Sequence, residues 1–263
     1  MNYLSAILER KRRELVRRRR HRLRTTPAAD GGRRDRAERA QLALRRKPGS
    51  APRVIAEIKR RSPSRGELRA YARGDVVEIA RAYAAGGAAA VSVLCERLGF
   101  GGSPLDLRRA ARSVDVPLLF KEFVLDELQI ELAREIGADM VLLLVCALEP
   151  ARLHALVDAT HAAGLAPVVE AANAAELRIA LQTSATIIGV NARNLGSFQV
   201  DIAAAQTILA AIPPDRIAVH MSGVRNRADF VSIAKGRADA VLIGESLMRA
   251  ADPTRQLIEL LRA

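Results

Sequence analysis

"PLLFKEFVLDELQIELAREIGADMVLLLV", residues 117–145, holds two apolar runs with a helical pattern between them. The runs at 117–121 and 139–145 are continuous rather than alternating, as strands buried on both faces of a parallel sheet are. Between them, 126–137 has an acidic first turn and a glycine stop, the two ends of a helix. Strand, helix and strand in this order form one βαβ unit.

The same alternation extends outward in both directions. Strand candidates at 54–59, 88–94, 166–170, 186–191, 217–222 and 239–244 bring the total to eight. Helical patterns at 174–182 and 227–236 lie among them. Eight βα units over residues 54–263 fit one closed (β/α)8 TIM barrel better than an open doubly wound sheet. With 49% hydrophobic residues the chain can build a sizeable core, and no apolar run is long enough to span a membrane.

Residues 1–53 form a basic N-terminal helical extension, expected to lie over the catalytic rim, and a linker, with 18 Lys/Arg against 5 Asp/Glu. They carry the whole formal excess of +13, because the body from residue 54 holds 24 of each sign. A neutral body argues against a nucleic-acid-binding barrel and confines that idea to the leader. Leu4, Ile7, Leu8 and Leu15 lie at near-helical spacing among arginines, so the leader opens with an amphipathic helix. Its RRRR run at 17–20 is the kind of charge cluster that forms a solvated face. Pro and Gly in 25–36 then break the pattern. No signal-peptide core follows the early charges, and Glu9 and Glu14 count against an organelle-targeting leader. Cys95 and Cys146 form neither a disulfide framework nor a metal spacing, so a reducing cytoplasm fits. The expected assembly is a monomer or weak homo-oligomer.

In a barrel, function gathers at the C-terminal strand ends. There the sequence places Glu57 with Lys59, Glu96, Lys121, Glu170, Asn191 with Arg193, Ser222-Gly223 and Gly244. Glu57 and Lys59 share a face with Ile55, while Val54, Ala56 and Ile58 face the other way. Two charges sent into one interior are costly unless they meet each other or a charged ligand. Lysines and carboxylates together supply acids and bases whose pKa values burial and contact can move. The four histidines are scattered, so no metal site is expected. Glycines after the seventh and eighth strands offer backbone N–H groups to a phosphate, with Arg193 adding charge. The expected ligand is a phosphorylated, anionic small molecule.

These residues resemble the indole-3-glycerol phosphate synthase family. The matching stretches are "IAEIKRRSPSRGEL", "VSVLCERLGFGGS", "LLFKEFVLDELQI", "GADMVLLLV", "VVEAANAAEL", "IIGVNARNLGSFQVD", "SGV" and "VLIGESLMRAADP". They run in family order over 54–253, and "ILERKRREL" is similar to the family's N-terminal helix. The resemblance implies a cofactor-free lyase of tryptophan biosynthesis. It would close the ring of 1-(2-carboxyphenylamino)-1-deoxyribulose 5-phosphate, with loss of carbon dioxide and water. By position, Lys121 would be the general acid on the carbonyl, and Lys59 would hold the anthranilate carboxylate and could serve in dehydration. Glu57 would orient and tune the lysines, Glu170 would serve dehydration, and Asn191 would hold the carboxylate or a hydroxyl. Ser222, Gly223, Gly244, Glu245 (through its backbone) and Arg193 would grip the phosphate. Phe123 and Leu142 would wall the aryl ring, and Ser62 would belong to the first loop over the substrate.

Three departures stand out. Met221 occupies a position that is usually acidic, which bears on how the lysines are tuned. Glu122 replaces an aspartate. Residues 33–53 are more basic and less aromatic than the family's usual connection, so a lid formed there would close differently. The leader's arginines are also expected to draw in the anionic substrate. Two other readings are a sugar-phosphate isomerase or epimerase barrel and a barrel that has lost its chemistry and works as a binding or scaffold protein. The first has no need of two strand-end lysines beside an aryl pocket. The second has no need to keep five costly polar groups.

Overall fold

The computed structural model describes residues 3–20, 35–63, 65–70, 75–194 and 196–262. Eight parallel strands close into a barrel: β1 (Arg53–Ile58), β2 (Ala90–Leu94), β3 (Leu118–Lys121), β4 (Met140–Leu144), β5 (Ala166–Ala171), β6 (Ile187–Asn191), β7 (Ile217–Met221) and β8 (Ala240–Ile243). β1 pairs with both β2 and β8, which closes the ring. Each run anticipated from the sequence lies within a residue or two of a strand.

The helices are α1 (Tyr3–Arg20), α2 (Arg36–Leu44), α3 (Asp75–Ala85), α4 (Pro104–Ala111), α5 (Glu127–Ile136), α6 (Pro150–Ala162), α7 (Ala174–Leu181), α8 (Ile202–Ala210), α9 (Arg227–Ala234), α10 (Glu245–Arg249) and α11 (Pro253–Leu261). Their starts are written locally. Asp126 and Asn173, for instance, accept from the N–H groups of Leu128 and Glu176 and so cap α5 and α7. α5 stops at Gly137, whose φ of 97° is left-handed.

Period-two alternation divides the apolar residues into two cores. Val54, Ala56 and Ile58 join the outer core between strands and helices. Ile55, Leu119, Met140, Val168, Ile187 and Leu242 fill the barrel interior. The inner core continues into both helices of the leader, taking in Ile7 and Leu8 from α1 and Ala40 and Leu44 from α2. α1 meets the C-terminal rim, with Arg10 paired to Glu96 just beyond β2 and Lys11 to Glu122 just beyond β3.

α2 corrects the expectation of a lid in residues 33–53. It closes the opposite, N-terminal mouth, with Ala40 and Leu44 fully buried. Arg39 pairs with Asp139, the residue before β4. Arg36 donates to the carbonyls of Arg134 and Ala138. Arg45 reaches Asp215, and Arg46 reaches Ala238. These arginines fasten carbonyls left over where helices end and strands begin, so they are not rim charges steering a substrate. The Pro/Gly break at 25–36 lies almost entirely outside the described residues, as do the side chains of Arg18, Arg19 and Arg20.

Candidate active site

At the other mouth, the inward positions of β1, β3, β5 and β6 switch from apolar to charged or amide side chains at the strand ends. Glu57 follows Ile55, Lys121 follows Leu119, Glu170 follows Val168, and Asn191 follows Gly189. One pocket is lined by Glu57, Lys59, Ser62, Lys121, Phe123, Leu142, Glu170, Asn191, Arg193, Ser222 and Glu245. Of the anticipated residues, Glu96, Gly223 and Gly244 are not on its wall; each glycine adjoins a residue that is.

The charges are matched. Lys59 Nζ lies 2.7 Å from Glu57 Oε1, so the two charges compensate each other. Glu57 Oε2 is buried without a partner among the described residues, and so is the Ser62 hydroxyl. Both line the pocket, where a substrate's polar groups can meet them. Gly244 makes room for Glu57, since a Cβ there would sit 2.6 Å from its Oε1. Lys121 Nζ donates to Glu170 Oε2 at 3.2 Å, and Asn191 Nδ2 donates to Glu170 Oε1 at 2.8 Å. Burial presses the Lys121 ammonium toward deprotonation, but the Glu170 and Glu57 carboxylates outweigh it and hold its pKa above that of an ordinary lysine. Lys121 therefore stands protonated, ready to donate.

Asn191 also orders the next loop, its Oδ1 accepting from the Arg193 N–H at 3.0 Å. The Arg193 guanidinium donates to the Phe198 carbonyl at 3.2 Å and lies 3.8 Å from Glu245. Arg65, on the loop after β1, lies 3.4 Å from the same carboxylate. Glu245 thus contributes its side chain to the cation cluster, beyond the backbone role expected of it.

Several lining residues escaped the sequence reading. Phe100 stands against Phe123 with ring centroids 6.5 Å apart, and Leu94, Leu144 and Leu242 complete an apolar wall. Phe198 adds another ring at a left-handed φ of 61°. The available signal was that only 3% of the chain is aromatic, so a phenylalanine in a loop is informative. Glu96 corrects the reading in the other direction. It turns away from the pocket, accepting from Arg10 and from the N–H groups of Leu98, Gly99 and Phe100. Its part is to hold the loop that carries Phe100. Met221 is 1% exposed and drops into the inner core against Gly189, below the pocket. Glu57 and Glu170 therefore face the lysines without a third carboxylate at that position.

The arrangement can protonate a carbonyl oxygen, move a proton through a carboxylate, hold an aryl ring on an apolar wall and meet an anion at the turns after β7 and β8. Comparison with known proteins agrees. The family model described as indole-3-glycerol phosphate synthase matches residues 4–260. Indole-3-glycerol phosphate synthase 2 of Streptomyces coelicolor is 47% identical over 211 residues, covering 80% of this chain and 80% of that one. Indole-3-glycerol phosphate synthase of Mycolicibacterium gilvum is 44% identical over 233 residues, covering 87% and 84%. A mutant tryptophan synthase alpha-subunit from Pyrococcus furiosus superposes with a TM-score of 0.62 at 14% identity, covering 81% of this chain and 98% of that one. At that identity the likeness speaks to the fold alone.

Proposed function

The chain belongs to the indole-3-glycerol phosphate synthase family, and from that premise we propose how its own residues divide the reaction. The protein is a carbon–carbon lyase of tryptophan biosynthesis acting on 1-(2-carboxyphenylamino)-1-deoxyribulose 5-phosphate. Lys59, at the pocket mouth beside Glu57, takes the anthranilate carboxylate. Phe100, Phe123 and Leu142 hold the aryl ring. Lys121 protonates the ketone oxygen as the ring carbon attacks, carbon dioxide leaves, and the new hydroxyl then departs as water. Glu170, bridged by Lys121 and Asn191, handles the dehydration proton, and Lys59 could assist there. Ser222, Gly223, Gly244, the Glu245 backbone and Arg193 grip the phosphate.

The observation that carries this reading is the pair of lysine–carboxylate contacts, 2.7 and 3.2 Å, in one pocket with a phenylalanine wall. An isomerase of sugar phosphates has no use for that wall. The test is direct: adding the substrate to purified protein should release indole fluorescence, against little background because the chain contains no Trp. Saturable binding without fluorescence would favour the binding-protein reading. We place the enzyme in the cytoplasm, with no nucleic-acid or membrane role. Among the described residues no helix is long and apolar enough to cross a membrane.

The phosphate grip makes its own prediction. Arg193→Met keeps the backbone N–H that meets Asn191 and removes the charge. Charge-assisted hydrogen bonds contribute about 1.5–3 kcal/mol, so KM should rise roughly 10- to 100-fold, with a smaller change in kcat. An unchanged KM in steady-state assays would remove Arg193 from the grip.

A further inference from the structure

His220 lies in β7 but outside the pocket. It alternates with Val219 and Met221, which fill the barrel interior, and pairs in register with Val190 and Val241 of the outer core. It is fully buried, and its Nδ1 has no hydrogen-bond partner among the described residues. An aliphatic residue would fill this outward position without stranding a nitrogen. What the imidazole adds is one contact: Nε2 lies 3.0 Å from the Ser222 carbonyl oxygen. A carbonyl only accepts, so Nε2 carries the hydrogen, and burial, which lowers the pKa to about 4, keeps the ring neutral.

The recipient of that bond is unusual. Ser222 has a φ of 70°, and Phe198 is the only other non-glycine residue with positive φ among the described residues. Gly223 follows at 90°. A left-handed serine persists only where its surroundings impose it. Because a trans peptide is planar, its C=O and N–H point in opposite directions. Holding the Ser222 carbonyl on the outer side of the barrel wall therefore sends the Gly223 N–H to the pocket side. That N–H has no partner among the described residues.

We propose that His220 is a positioning residue for phosphate recognition, fixing the Ser222–Gly223 peptide so that its N–H faces the ligand. The inference rests on the assignment of this turn to the substrate phosphate. The imidazole touches neither substrate nor lysines, so its effect falls on binding of the phosphate and not on proton transfer.

The experiment compares the parent, His220→Leu and His220→Gln in steady-state kinetics and in competitive inhibition by inorganic phosphate. Leucine removes the donor, whereas the glutamine amide can donate to the same carbonyl. His220→Leu is expected to raise KM and the phosphate inhibition constant together by about tenfold, with kcat within about twofold, and His220→Gln to return both to within about threefold. Parental constants in His220→Leu, or a fall in kcat alone, overturn the proposal. If His220→Leu does not fold, His220→Ala, which also removes the donor, takes its place and is read by the same outcomes. A parent that inorganic phosphate does not inhibit refutes the phosphate assignment and takes this proposal with it. An inhibited parent beside unaffected variants sinks the role of His220 alone.

Discussion

Lys121→Met is expected to lower kcat by on the order of 10³-fold in a protein that remains folded, the range in which removal of a positioned general acid falls. Methionine keeps the length and apolar stem of the side chain and removes only the ammonium. Three effects then act together. The ketone oxygen loses its proton donor. Glu170 keeps Asn191 Nδ2 at 2.8 Å but loses its cation at 3.2 Å, which leaves a carboxylate of 4% side-chain exposure without its counter-charge. The developing alkoxide loses its counter-charge. All three act on the transition state more than on ground-state binding, so kcat should fall much further than KM rises. Arg193→Met has the inverse profile, with KM moving and kcat nearly still. A Lys121→Met enzyme that keeps a tenth of its kcat, with an unchanged melting temperature, would move the general acid to another group.

The barrel was legible because its strands are buried on both faces and so read as unbroken apolar runs between capped helices. Glu57 was legible for a sharper reason: period two puts it on Ile55's face, and a charge in an apolar strand has to be met. Both grounds are local. What escaped depends on contacts distant in sequence. α2 offers only Ala40 and Leu44 as fully buried residues among charged neighbours, too weak a stripe to mark a docking face. Arg36 and Arg39 meet main-chain carbonyls and the Asp139 carboxylate 76 to 102 positions away, which no local side-chain pattern records. Glu96 stands at a strand end like the catalytic carboxylates, yet the turn after it directs it to three backbone N–H groups instead of the pocket. The phosphate turn was visible as Ser-Gly, whereas the imidazole behind it looked like an ordinary buried histidine.

Arg39→Met should show that the leader's second helix is a stabilising plug remote from the chemistry. Asp139 is fully buried and accepts from the Leu118 N–H at 2.8 Å as well as from Arg39. Removing the guanidinium leaves a buried carboxylate with one backbone donor and no counter-charge. Breaking a buried pair in this way costs about 3–5 kcal/mol. Arg39 is 32% exposed, so screening pulls the expectation to the low end, about 3 kcal/mol. For a domain of this size that lowers Tm by roughly 6–10 °C. Adding Asp139→Asn should restore part of the loss, because the second change removes the stranded charge. Arg255→Met is the control: its partner Glu259 lies one helical turn away on the surface, and exposed pairs contribute about 0–1 kcal/mol. Asp139 precedes β4 while Lys121 ends β3, so the two stand at opposite mouths of the barrel and kcat and KM of the folded Arg39→Met enzyme should match the parent. A melting temperature within a degree of the parent would mean that α2 only rests on the barrel base. A parental Tm with a shifted KM would mean that the basic leader acts on substrate capture after all.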